Sequence, residues 1–254
     1  MKVLDLIDCE YIPALYSGNT EKDHRDNSNL YLKLLKEGER NGFIPVLINK
    51  DLTYCFNVSR YGFTEEKESY SKVINFLVNK VSDTIFPVWF NRLVYNYYLD
   101  CADNYFDYKY DLDVLFIPPN SSQYLSRFEN VNIQPFSLKS VNDLNPYTDL
   151  VFVKIPVKES WEALAWIPIV AFNWCPDTFH QIALAKGLYE LFDARILYIG
   201  SCDLAYYVPN PLVKREDIEQ AARIMMAADQ DIYQEFEYSV ERIAGSHVWY
   251  MWWD

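Results

Sequence analysis

The stretch HVWYMWWD, His247 to Asp254, decides how the rest of the chain is read. Chain ends tend to fray and to be polar, yet four of these last six residues are aromatic. Side chains alternate along a strand. Val248, Tyr250 and Trp252 then point one way, and Trp249, Met251 and Trp253 the other. Both sides are apolar, which is wrong for a sheet with one wet face. The string predicts a final strand pinned between two layers, with Trp249 and Trp252 both buried. Asp254 then sits in solvent at the sheet edge.

Working backward, the C-terminal hundred residues read as β-α-β-β-α-β. LAWIPIVAFNW (164–174) is apolar on both faces and predicts a strand. In PDTFHQIALAKGLYELFD (176–193), Ile182, Ala185, Leu188, Tyr189 and Phe192 share one side of a helix. ARILYIGS (194–201) and LAYYVP (204–209) predict two strands joined by a turn at Ser201, Cys202 and Asp203. REDIEQAARIMMAADQDIYQEF (215–236) predicts a helix with Ile218, Ala221, Ala222 and Met225 inward. YSVERIAGS (238–246) predicts a shorter helix ended by Gly245. This order suits an α+β, ferredoxin-like split sandwich with both helices on one sheet face. The N-terminal region, or a homodimer partner, must cover the other face.

That N-terminal region reads as mixed α/β. SNLYLKLLKEGERNG (28–42) predicts a helix with Ser28 as N-cap and Gly42 as stop. FIPVLIN (43–49) predicts a buried strand, and its first residues echo WIPIV (166–170). In TEEKESYSKVINFLVNKV (64–81), Tyr70, Val73, Ile74, Leu77, Val78 and Val81 line one helical face, with Thr64 placed to cap. A further helix is predicted from Val88, and a strand at Leu112–Ile117. The domain boundary is placed at 110/111. It separates an N-terminal region, 1–110, from a C-terminal domain, 111–254, whose core is about 150–254.

Half of the 254 residues are hydrophobic, which excludes a disordered chain. The net charge of −13 repels phosphate backbones, so nucleic acid is not an expected partner; a basic protein is. Five scattered cysteines without a CxxC pair suit reduced thiols in a cytoplasm. No stretch approaches the ~20 apolar residues of a membrane span, and MKVLDLIDCEY does not read as a signal peptide. Phosphate loops, GxSxG, HExxH and dinucleotide fingerprints are absent from the sequence. No metal or cofactor is expected.

In the split arrangement, one sheet edge gathers Cys175, Asp177, His180, Cys202, Asp203 and His247, with Asp229 and Asp231 nearby. Cys175 before Pro176 fits an N-cap. These residue types admit a metal site, or a thiol enzyme with Cys175 as nucleophile and His180 or His247 as base. They also admit a purely structural role, which is the plainest reading. The acids Asp229, Asp231, Glu235 and Glu237 are the expected contact for a basic partner. Acids at a helix C-terminus oppose the macrodipole and ask for a reason.

NWCPD (173–177), YVPNPLVKREDIEQA (207–221) and the closing VWYMWWD resemble the bacterial domain of unknown function 4253 family. GFIPVLIN (42–49) and FPVWFNR (86–92) resemble its upstream part more loosely. The family pattern has Cys-Pro-Asp-Ile where this chain has Asp229, Gln230, Asp231 and Ile232, so only the last two match. The resemblance implies a fold and a bacterial source and brings no established reaction. It makes an immunity or inhibitor role one form of the leading expectation, a non-enzymatic protein-binding module. The alternative is a small-molecule or metal-dependent enzyme using the edge around Cys175, Cys202 and His247.

Overall fold

A computed structural model of the chain describes residues 2–15, 20–53, 67–83, 131–139, 149–169, 176–229, 232–233 and 236–253. Six strands form one sheet: β1 Tyr11–Pro13, β2 Ile44–Asn49, β3 Leu150–Ile155, β4 Arg195–Ile199, β5 Asp203–Tyr207 and β6 Val248–Trp252. Their order is β1-β3-β2-β4-β5-β6. β2 and β4 run parallel, and the other neighbours are antiparallel. Seven α-helices lie among the described residues: α1 Val3–Leu6, α2 Glu21–Asn41, α3 Lys67–Ser82, α4 Ala163–Trp166, α5 Thr178–Phe192, α6 Arg215–Ala228 and α7 Phe236–Ile243. No described helix is long and apolar enough to cross a membrane.

Both sheet faces carry packed side chains, and Trp249 is buried as expected, but Trp252, also expected to be buried, is 36% exposed because it stands at the end of the last strand. Val46, Ile48, Val153, Ile196, Leu204, Tyr206, Trp249 and Met251 pack with α1 and α3–α7. Leu47, Phe152, Leu197, Tyr198, Ala205, Tyr207 and Tyr250 pack beneath Tyr31, Leu34 and Leu35 of α2 and Leu138. The N-terminal region therefore supplies the cover predicted for the second face. It also supplies β1 and β2 to the sheet itself, so strands from both sides of residue 110 interleave. The 110/111 division lies outside the described residues.

The ferredoxin-like order is not confirmed. That order sets the first strand of the unit between the third and the fourth. Here β3, β4, β5 and β6 follow one another across the sheet, with β2 inserted between β3 and β4. Leu150–Ile155 is the strand before β4 in the chain; of the strand predicted over 164–174, residues 164–166 lie in α4, Ile167–Ile169 lie outside any strand, and 170–174 lie outside the described residues. Glu159 and Glu162 form a reciprocal capping box that starts a short 3-10 turn at Ser160, and the turn runs into α4. Ile167 and Ile169 are apolar because they fill the core beneath α3 and α5, not because they pair in a ladder. The resemblance between FIPVL and WIPIV is thus one of composition: the first runs into β2, and the described part of the second, 166–169, begins at the end of α4.

Three helix boundaries also differ from expectation. Thr20, not Ser28, caps α2: its hydroxyl accepts from Asp23 N–H while the Asp23 carboxylate accepts from Thr20 N–H. Ser28 is buried, donates to the His24 carbonyl and accepts the Leu138 amide at 3.0 Å. Asp177, not Cys175, caps α5, accepting from His180 N–H at 3.0 Å. The long helix predicted over 215–236 ends at Ala228, and α7 begins at Phe236. Gly42 ends α2 with φ +76°, as expected. Tyr70, Val73, Ile74, Leu77 and Val81 of α3 are all buried, as expected. Thr64, the helix predicted from Val88 and the strand predicted at 112–117 lie outside the described residues.

Candidate functional site

Among the described residues, three buried polar side chains converge where β4 turns into β5. Asp203 opens β5 and is only 3% exposed. Its carboxylate accepts from the Tyr250 hydroxyl at 2.9 Å and from the Tyr198 hydroxyl at 3.4 Å. A β-bulge between Ile196 and Tyr198 makes this convergence. Strict alternation would send Tyr198 to the face opposite Leu197. The extra residue turns both toward the α2 face, where Tyr250 also points. Gly200 is required beside them: a Cβ there would run into the Asp203 carboxylate and the Tyr198 hydroxyl. Burial, and then the Asp203 charge, push the Tyr250 phenol far above its ordinary value, so it remains a donor. Two phenol donors on a carboxylate hold a negative charge in the interior. The trio clamps the β4–β5 hairpin to β6.

Asp229 is a second interior carboxylate, fully buried at the end of α6. Its oxygens accept the amides of Ile232 at 3.0 Å and Trp252 at 2.8 Å. Trp253 closes the same corner, its indole N–H donating to the Ala228 carbonyl at 3.0 Å. Asp203 and Trp252 are register partners, so both carboxylates sit at one end of the β5–β6 pair. Both are buried, so Asp229 does not offer the surface contact expected of it for a basic partner, and Asp203, expected at the candidate edge, faces the interior. Glu237 does not oppose a macrodipole, because it lies in the first turn of α7, where an acid is favoured; Asp229 does stand at the C-terminal end of α6, where the Ile232 and Trp252 amides meet its carboxylate.

The predicted edge comes together only in part. Cys202 immediately precedes Asp203, and its carbonyl accepts the Trp253 amide at 3.0 Å. His247 lies at the opposite end of the sheet. Antiparallel pairing sets the start of β6 beside the end of β5, with Val248 against Tyr207 and Trp252 against Asp203. Four residue steps of ~3.3 Å separate those pairs by about 13 Å. At its own end His247 stacks on Tyr207, and its Nδ1 lies 2.8 Å from the Val208 carbonyl. The expectation failed because it placed the beginnings of β5 and β6 side by side, which antiparallel neighbours do not allow. Asp177 and His180 pair with each other at the start of α5, Oδ1 to Nδ1 at 2.8 Å. Cys175, Asp231 and Glu235 lie outside the described residues. Among the described residues no three His, Cys, Asp or Glu side chains gather as metal ligands.

Asp203 was named from the sequence as a turn residue; Tyr198 and Tyr250 were not named as its partners. Tyr250 could have been found, because a residue opposite Ala205 on the next strand shares its face. Tyr198 could not, because nothing in ARILYIGS announces the bulge.

Comparison with curated proteins and with solved structures finds no match. The family comparison does: residues 151–254, from β3 through the closing aromatic strand, match the family described as Domain of unknown function (DUF4253).

Proposed function

We propose that the protein works without catalysis of its own, by binding a basic protein, and that an immunity-type inhibitor is one form of this role. The observation that carries the reading is the outward face of α7. Glu237, Tyr238 and Glu241 are exposed while Phe236, Ser239, Val240 and Ile243 are buried. Neither acid takes part in an ion pair among the described residues. Tyr238, 42% exposed, lies under the Arg242 guanidinium. Tyrosine and arginine are among the residue types enriched at binding hot spots. A net charge of −13 supplies the long-range attraction for a cationic partner. Asp231 and Glu235, which precede α7 in sequence, belong to the same acidic run.

The alternative, an enzyme built on Cys175, Cys202 and His247, loses support because Cys202 and His247 stand at opposite ends of β5 and β6. The discriminating experiment is capture of basic proteins from bacterial extract at low salt, followed by association kinetics on the retained protein. Charge reversal at Glu237 and Glu241, alone and with Asp231 and Glu235, should slow association by roughly tenfold or more, as loss of steering does. Raised salt should slow the unmutated protein in the same way. An association rate indifferent to both reversals and salt refutes the assignment, and failure to retain any basic protein refutes the reading.

A further inference from the structure

Residues 131–137 form neither helix nor strand, and Asn132 to Pro135 are exposed. The segment 131–139 nevertheless spans from the turn after α7 to α2, held at each end and by one ring between. At the first end the Gln134 amide donates to the Gly245 carbonyl at 3.1 Å. Gly245 has φ +67°, and a Cβ on it would stand 2.5 Å from the Asn132 carbonyl oxygen and 2.9 Å from a Val131 methyl carbon. At the second end Leu138 is fully buried, and its amide donates to the Ser28 hydroxyl at 3.0 Å. Between them the Phe136 ring centroid lies 4.7 Å from that of Tyr207, 5.7 Å from Tyr31 and 6.2 Å from His247. Exposed chain outside any ladder, tied to packed elements at a few points, is the kind of segment that opens while the rest stays folded.

We infer that 131–139 is a strap that opens and closes as one unit over the Tyr207–Val248 end of β5 and β6, and that Gly245 is its latch. Only a residue without a Cβ lets the strap's main chain approach this closely, so closure depends on a position outside the strap. Phe136 and Leu138 are separated by Ser137 alone, so neither anchor leaves its place without displacing the other. Opening bares the Tyr207 and His247 rings that Phe136 packs against. It leaves the β5–β6 pairing and the His247 contact with the Val208 carbonyl in place. The strap is independent of the proposed binding of a basic protein.

Native-state hydrogen exchange of the full chain in rising, sub-denaturing urea tests this. The Gln134 and Leu138 amides should exchange at least roughly tenfold faster than the slowest amides of β4 and β5. Their rates should also depend little on urea, because opening the strap exposes little surface. Gly245→Ala should speed exchange at Leu138 by the same factor as at Gln134, roughly tenfold, although Leu138 sits at the far end of the strap. Ser28→Ala, made at that far end, should in turn speed Gln134 as much as Leu138. Exchange of both amides at the rate and urea dependence of β5 overturns the inference, since the strap then leaves only on global unfolding. So does a folded Gly245→Ala variant that speeds Gln134 alone, or neither amide. If Gly245→Ala does not fold, Ser28→Ala decides: equal acceleration at both amides supports the strap, and any other result overturns it.

Discussion

Trp249 and Trp252 are three residues apart in one strand, and truncating them should have unequal consequences. Trp249 is fully buried, with its ring edge-on to Phe192 at a centroid distance of 5.6 Å. Trp252 keeps 36% of its surface in water. Burial of an aromatic side chain removes roughly 150–250 Å² from solvent, worth about 4–6 kcal/mol at ~25 cal/mol per Å². Truncation to alanine retains the Cβ and permits some collapse, so Trp249→Ala should cost about 3–5 kcal/mol. The cavity it leaves lies within the core between the sheet and α3–α7. Trp252→Ala leaves no closed cavity, because its outer side already meets solvent, and should cost about 1–2 kcal/mol. At ~2–4 °C per kcal/mol for a chain of this size, Trp249→Ala lowers the melting temperature by about 6–20 °C and Trp252→Ala by about 2–8 °C. Urea unfolding followed by far-ultraviolet circular dichroism gives both values directly. Equal losses, or a larger loss at Trp252, would refute the reasoning that only one side of the aromatic strand is sealed throughout its length.

Tyr250→Phe removes a donor from the buried Asp203 carboxylate and should destabilise the protein by about 1.5–3 kcal/mol. A double-mutant cycle with Asp203→Asn should show coupling, and additive losses would mean the two groups act independently. Gly200→Ala forces a methyl into the Asp203 carboxylate and Tyr198 hydroxyl, whereas Gly42→Ala meets open space and carries only the strain of φ +76°, about 1 kcal/mol. The melting temperature should therefore fall further for Gly200→Ala, and the reverse ranking would contradict the packing of the trio. Burial, reinforced by Asp8, pushes the Cys9 thiol up from 9.0 to about 11. The folded state thus holds this proton more tightly than the unfolded chain does, so the associated stability is whole below pH 9 and is lost as pH rises through about 11. Unfolding midpoints measured across that window should fall less steeply for Cys9→Ala; parallel curves would show that Cys9 is not the group responsible.

Much of the architecture was legible because it is written in short-range chemistry. Helix α3 follows from apolar spacing that only a 3.6-residue period satisfies, and its predicted face is buried. The stop at Gly42 follows from the left-handed conformation that glycine adopts without strain. The two-sided apolarity of Val248–Trp253 correctly required cover on both faces of the sheet. Patterns of this kind depend on neighbours within a few residues, and the chain carries them wherever it folds.

Tertiary structure decided which distant segments became neighbours. WIPIV and FIPVL have the same pattern, yet FIPVL runs into a strand and the described part of WIPIV fills the core after a helix, because burial alone does not distinguish the two. β2 entered the sheet between β3 and β4, and no local signal records that insertion. Antiparallel pairing sent His247 to the far end from Cys202 and so undid half of the expected site. A one-residue bulge brought Tyr198 to Asp203, and a corner after α6 turned Asp229 inward onto Trp252. The sequence by itself determined the apolar face of α3 and the stop of α2 at Gly42, because periodicity and capping are local. Only the tertiary structure decided which buried groups meet, because strand order, register and bulges are settled by competition among many packings of the same apolar segments.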